Sequence, residues 1–414
     1  MSIATEISRL QSAKSSLKTS INAKLSSGLI DDETIDEYAD FVDNIQTGGG
    51  EASYKIITAE LPNVTINLYN ESSTLLDTKT TDATLGGYVV FDIETSGTYT
   101  INAYNSGETL LWTNTVVITD IGIYNCKTGK TLNSYTWAEI ETASVGGYAK
   151  YMWSVADYKD LSSFLGQTTS AYTMAVVLGF DHDTLASDGT TKTGITFKLP
   201  DTSSTYQHWT AGLTNINGIS WIGSLIRGNC LKTGEDQYVY DTTVTDATEG
   251  TYYTLNADNE TFSSVTLPTG YVSGTKYYNK TTLSTDGAFI TGLPSDLASV
   301  IKQVEKETWG GYGLSAGSRD NTIVKTKDWL FINSDSEVFG DSNRYFNDSK
   351  NTLEGPQYEY FKKYEENRFV LSASAWLRSP SVNSSAYFCS WSSKGIIING
   401  SANNSFRVDL CFCI

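Results

Sequence analysis

Chemistry in a 414-residue chain with only two histidines has few residues to rest on. His182 stands in "GFDHD", between Asp181 and Asp183, and His208 stands in "YQHWT". The Asp-His-Asp run offers three potential metal ligands, but consecutive residues at a strand end point to opposite sides, so a solvated loop is expected there. No Ser-His-Asp order, HExxH pair, P-loop or GxGxxG turn stands in a supporting context. The 47 acidic residues allow many carboxylate pairs in space, as glycan hydrolysis needs, yet none forms a distinctive motif. Near the end, "CFC" puts Cys411 and Cys413 on one face of a strand, the arrangement of a redox or copper site. Their alternation with Leu410, Phe412 and Ile414 fits better with a strand buried on both faces that closes the fold. The five cysteines are odd in number and lack zinc-type spacing, so they read as small buried hydrophobes. No catalytic residue, metal ligand or cofactor is assigned, and enzymatic activity is not indicated.

The elements that would carry any site follow from composition and periodicity. Aromatics at 12%, with 26 Tyr, 34 Gly and only 6 Pro, point to strands rather than disorder. A net charge of −18 with no offsetting Lys/Arg cluster disfavours nucleic acid and anionic lipid as partners. No apolar stretch approaches a membrane span, and "MSIATEISRL" carries no export signal, so neither membrane insertion nor export is expected.

Ile3, Ile7, Leu10, Leu17 and Ile21 form a heptad seam, and a second amphipathic helix is expected over about Asp32 to Ile45. Residues 1–47 therefore read as a helical oligomerisation and attachment segment; "QTGGGE" (Gln46 to Glu51) breaks the pattern, and 48–53 reads as a flexible linker. From Tyr54 to about Asp120 the period changes to two, as in "VTINLYN" and "GTYTINAYN". About seven short strands in that span suggest an immunoglobulin-like sandwich acting as a spacer. Residues 121–414 read as a mixed unit with strands "YTMAVVLGF" and "GITFKLP" and a helix from Pro294 to Glu307. Within it, 236–288 reads as a β-rich insertion. The expected class is α+β.

The closing stretch "AWLRSPSVNSSAYFCSWSSKGIIINGSANNSFRVDLCFCI" combines core-forming residues with many Ser and Asn. It resembles the variable region of target proteins of diversity-generating retroelements, those with a C-type-lectin-like fold. The resemblance rests on "WLRSP" (Trp376 to Pro380), "FC" (Phe388, Cys389), the turn ending at Gly395, "ANNS" (Ala402 to Ser405) and the terminal "FCI". Upstream, "YMWSVADYKD", "VVLGFDHD", "LPSDLASVIKQVEKET" and "LFINSDSEVFG" resemble the scaffold of the same bacterial and phage domains. The first residues resemble the attachment segment of phage tail and fibre proteins.

The resemblance implies a C-type-lectin-like domain at 121–414, behind the sandwich and the helical coiled-coil segment. It also implies a function: a phage or prophage tail receptor-binding protein, located in the virion and made in the host cytoplasm. Its diversified surface would bind a host cell-surface protein or glycan, and its N-terminus a tail or baseplate protein. In such systems template adenines are replaced at random, so varied positions draw on Asn, Ser, Tyr, Phe, Ile, Gly, Ala, Asp and Arg. Small polar residues then give adaptable contacts and Tyr gives large area at low entropic cost.

Aligned on the fixed elements, the implied binding surface is Ser381, Ser384, Ala386, Tyr387, Ser390, Ser392, Ile396, Ile398, Gly400, Ser401 and Phe406. In "GIIING" the strand period puts Ile396, Ile398 and Gly400 outward and Ile397 inward. Trp391 lies outside the adenine-derived set but would be a strong hot spot if exposed. Arg407 and Asp409 are secondary candidates, while Trp376 and Arg378 read as scaffold. The calcium-lectin signatures EPN, QPD and WND are absent, so metal-dependent sugar binding is not implied. The alternatives are a tailspike glycan depolymerase, which would release products from host polysaccharide, and a bacterial surface adhesin. Because Ile at both seam positions favours three strands, the full-length protein is expected to be a homotrimer, with a trimer mass by light scattering.

Overall fold

The structure is a computed structural model and describes residues 54–161, 174–199, 207–208, 220–310, 322–340, 354–364, 374–381, 387–392, 396–401 and 404–414. The heptad seam, the second helix and the linker lie outside the described residues.

Seven strands open the described chain: β1 (Tyr54–Glu60), β2 (Thr65–Tyr69), β3 (Leu75–Thr80), β4 (Gly87–Ile93), β5 (Gly97–Tyr104), β6 (Leu110–Ile118) and β7 (Ile123–Asn125). They make two sheets, ordered β4-β1-β7 and β3-β2-β5-β6. The period-two residues Ile66, Leu68, Tyr99, Ile101 and Ala103 are buried between them with Phe91 and Trp112. Strand β7 lies beyond residue 120 and pairs in parallel with β1, and Cys126 after it belongs to the same core.

A second core is built on a five-stranded sheet ordered β19-β24-β11-β9-β8. Its strands are β8 (Tyr158–Asp160), β9 (Met174–Phe180), β11 (Ile195–Leu199), β19 (Phe331–Ile332) and β24 (Leu410–Cys413). The last of these, "LCFC", is buried on both faces between β11 and β19. Two further pairings join β10 (Thr184–Leu185) to β17 (Val304–Trp309) and β18 (Ile323–Asp328), and β12 (Gln207–His208) to β23 (Ser405–Phe406). Strands β13 (Asp236–Tyr240), β14 (Gly250–Leu255), β15 (Phe262–Leu267) and β16 (Tyr278–Thr282) form a separate antiparallel sheet, ordered β13-β16-β14-β15. Finally β20 (Ala375–Pro380), β21 (Tyr387–Trp391) and β22 (Ile397–Ser401) form a three-stranded sheet at the C-terminal end.

The α+β expectation is corrected. Among the described residues strands account for 43% and helices for 16%, in seven short helices, so this part of the protein is β-rich. No long coiled-coil helix occurs among the described residues; the longest helix, Trp137–Val145, has nine. The expected helix Pro294–Glu307 divides in two: only Ser295–Val300 is helical, and Val304–Trp309 is strand β17. Pairing with β18 overrides the helical appearance of "KQVEKE", because the strand turns Val304, Lys306 and Thr308 inward and leaves Glu305 and Glu307 half-buried.

Glu60 joins the two cores. Its buried carboxylate accepts from Trp112 Nε1 at 2.6 Å, within the sandwich, and from Tyr135 OH at 2.9 Å, within the second core. Replacing it by Ala strands two buried donors, so Glu60→Ala should lower the unfolding free energy by about 2 to 3 kcal/mol in urea titration.

Candidate functional site: the C-terminal sheet and the charge network beneath it

The C-terminal sheet stands on a group of buried charges. Helix Asp335–Phe339 starts with a capping box: Ser334 Oγ accepts from Glu337 N at 3.1 Å and Glu337 Oε2 accepts from Ser334 N at 3.0 Å. The box holds Glu337 against Arg378 of β20, which donates from Nη1 to Oε2 at 2.5 Å and from Nη2 to Oε1 at 2.8 Å. Arg378 also donates to the carbonyls of Ile332 at 2.9 Å and Glu354 at 2.7 Å. Lys306 donates to Glu337 Oε1 at 3.1 Å, to Tyr358 OH at 3.0 Å and to Asp183. Asp183 further accepts from Tyr358 OH at 2.9 Å and Thr196 Oγ1 at 2.5 Å.

Burial pushes the Asp183 carboxyl up, but Lys306 and His182 outweigh it and hold the group well below the usual range. Burial likewise opposes ionisation of Glu337, and Arg378 and Lys306 again prevail. Burial lowers the Lys306 ammonium, yet Asp183 and Glu337 raise it above its ordinary value. These three groups, and Arg378 with them, are therefore charged.

"GFDHD" is thus corrected from a solvated loop: Asp181 is exposed and paired with Lys150 at 2.7 Å, whereas Asp183 is buried in this network. His182 stacks on Tyr358 at 3.8 Å, and its Nε2 lies 3.0 Å from the Pro356 carbonyl. A cavity of about 330 Å³ opens over the network beside His182, Lys192, Glu305 and Lys325. Every carboxylate oxygen of Asp183 and Glu337 already has a protein partner, so these acids serve the fold. No group of three or more His, Cys, Asp or Glu suited to a metal occurs among the described residues.

Next to the network, Ser379 Oγ accepts from Asp335 N at 2.9 Å, lies 3.2 Å from Asp335 Oδ1 and donates to Glu354 Oε2. Burial, then the Asp335 charge, pushes Glu354 up to about 8, and burial pushes Asp335 up to about 6.

The structure sorts the expected binding residues by burial. Tyr387 is 40% exposed and Ile396 49% exposed, while Ser392, Ile398, Ser401 and Phe406 are half-buried. Asn399, Asn404 and Ser405, not among the expected residues, are also exposed. Ser384 and Ala386 lie outside the described residues. Ser381, Ser390, Trp391, Gly400, Arg407 and Asp409 were expected at the surface but are buried.

Each burial has its cause. Trp391 packs against Phe361 and Phe339 with the Lys198 ammonium 4.3 Å from its ring, and Lys198 pairs with Asp409 at 2.7 Å. Gly400 lies under two rings: a Cβ there would come within 2.4 Å of Phe406 and 2.6 Å of Trp376. Ser390 Oγ donates to the Ile398 carbonyl at 3.3 Å, across the β21–β22 pair. The backbone of Arg407 pairs with Ser374 and Trp376. Ile397 is buried, and Trp376 and Arg378 are fully enclosed.

Sequence reasoning missed Lys306, Glu337, Glu354 and Tyr358. For Glu337 the signal was present, as Ser334-x-x-Glu337 is a capping-box pattern. For the others only tertiary pairing brings the partners together.

A family model described as a domain of unknown function (DUF6273) matches residues 242–414. The match begins inside the stretch read as an insertion and takes in Lys306, Glu337, Glu354, Arg378 and the C-terminal sheet, but not Asp183. No curated protein and no solved structure matches.

Two outcomes follow. Arg378→Ala leaves Glu337 without its main partner in a dry interior and should cost about 3 to 5 kcal/mol, measured by thermal or urea unfolding. Glu354 has a folded pKa above its ordinary value of 4.5, so the native state binds the extra proton. Its contribution to stability is complete below about pH 4.5 and is lost as pH rises through about 8. The melting temperature should therefore fall between pH 6 and 9, and Glu354→Gln, permanently neutral, should flatten that fall.

Proposed function

We propose that this chain is a phage or prophage tail receptor-binding protein whose C-terminal sheet binds a host surface ligand and is diversified by a retroelement. The observation that carries the reading is the exposure of Tyr387 and Ile396, with Ile398 and Ser401 half-buried, in a segment whose neighbouring side chains are locked into the core. Exposed apolar and aromatic side chains on a rigid base suit adaptable, non-covalent recognition. The segment's composition of Ser, Asn, Ile and Tyr supports the same reading. The buried candidates narrow the surface: Trp391 and Gly400 belong to the scaffold, since neither has room to vary.

Tyr387→Ala and Ile396→Ala should shift stability by no more than about 0.5 kcal/mol while abolishing or redirecting adsorption to host cells. Trp391→Ala should cost about 3 to 5 kcal/mol. Calorimetry and a cell-adsorption assay check both. Unchanged adsorption by both surface variants would refute the reading.

A further inference from the structure

A groove of about 460 Å³ lies between the β13–β16 sheet and the body, lined by Arg227, Tyr238, Phe262, Gln303, Lys325 and Lys327 among others. Its volume lies in the range of small-ligand sites. One flank is aromatic, with Tyr238 and Phe262 stacked at 3.8 Å and 8° and both half-buried. The opposite flank is charged, and its acids are already engaged. Glu235 accepts from Gln303 at 2.9 Å, Trp329 at 3.0 Å and the Lys232 amide at 2.8 Å. Glu260 pairs with Lys327 at 2.7 Å and Asp236 with Lys280 at 2.6 Å.

The donors are not all engaged. Arg227, buried to more than nine-tenths, fixes its guanidinium through Nε to Asp328 at 2.8 Å and Nη2 to the Lys327 carbonyl at 3.3 Å. Asp328 is itself held by Trp221 Nε1 and Thr326 Oγ1, both at 2.7 Å. Nη1 of Arg227 has no hydrogen bond among the described residues. Lys325, on the rim, forms only a loose, exposed ion pair with Glu307 at 3.6 Å. The groove therefore offers an oriented guanidinium edge, an ammonium on the rim and an apolar ring wall; of its three acids, Glu260 and Asp236 are neutralised by lysines and Glu235 is held by neutral donors.

We propose that this groove binds a carboxylated saccharide unit of the uronic-acid type. The carboxylate would meet Arg227 Nη1 and Lys325, and the sugar's C–H face would lie along Tyr238 and Phe262. A neutral sugar leaves the cationic donors unmatched, and an acidic peptide leaves the ring wall idle. The site is separate from the exposed C-terminal residues.

The test is calorimetric titration of the full chain with a glucuronic-acid-containing disaccharide, its glucose counterpart and triglutamate. The acidic disaccharide should bind about tenfold or more tightly than either of the others. Lys325→Gln, at an exposed position, and Phe262→Ala should each weaken it about tenfold, while Tyr387→Ala leaves it unchanged. Arg227→Lys should weaken binding without loss of the folded state. Equal binding of the two disaccharides, equal binding of triglutamate, or no binding at millimolar concentration would overturn the proposal.

Discussion

Arg378 and Glu337 meet face to face with no solvent around either, and the C-terminal unit is arranged so that this pair is tolerable. Taking an ion out of water costs several kcal/mol, and a bare pair does not recover it. Here the cost is offset by completeness. Lys306 supplies a second cation to Glu337, Asp183 balances Lys306, and two carbonyls complete the Arg378 fork. The members come from β17, β20, the helix at Asp335–Phe339 and the segments at 183 and 354–358, so the network closes only when all of them are in place. Its value lies in that requirement: a half-assembled unit would hold unpaired charges in a low-dielectric interior.

This constraint explains how the C-terminal sheet can be both packed and permissive. Strand β20 carries Arg378 and Ser379 into the network and pairs with β21, so the base of the sheet is fixed by charge and by ring packing around Trp376 and Trp391. Further out, Tyr387 of β21, Ile396 just before β22 and Asn399 of β22 face solvent. Substitution at such positions disturbs no network member and no ring contact, whereas a Cβ at Gly400 would strike Phe406 and Trp376 at once. Exposed and enclosed positions stand side by side along β22, where Asn399 is exposed and Gly400 is buried.

The two carboxyls near Ser379 belong to the same logic. Asp335 and Glu354 sit beside the network, where Arg378 directs its guanidinium at Glu337 and at backbone carbonyls. Burial then favours the neutral acid, and Glu354 remains protonated near neutral pH.

Much of the architecture follows from local pattern. Alternation in "VTINLYN" and "GTYTINAYN" specified strands and their buried face, and "LCFC" specified a strand enclosed on both sides, because side-chain period needs no partner to be read. Trp376 and Arg378 were legible as scaffold through the resemblance of "WLRSP". Local pattern failed where the partner was distant. "KQVEKE" looks helical until β18 pairs with it, and Asp183 looks solvated until Lys306 arrives from 123 residues away. The outward residues were legible only in part, since period two predicts a face but not what covers it. Ile396 and Gly400 share that face, and only the position of Trp376 and Phe406 leaves the first in solvent and the second beneath two rings. The sequence by itself determined the strands and their inward residues, through short-range sterics and hydrophobic period. The tertiary structure alone decided which charges are buried and which surface residues remain free, because both depend on contacts between segments far apart in the chain.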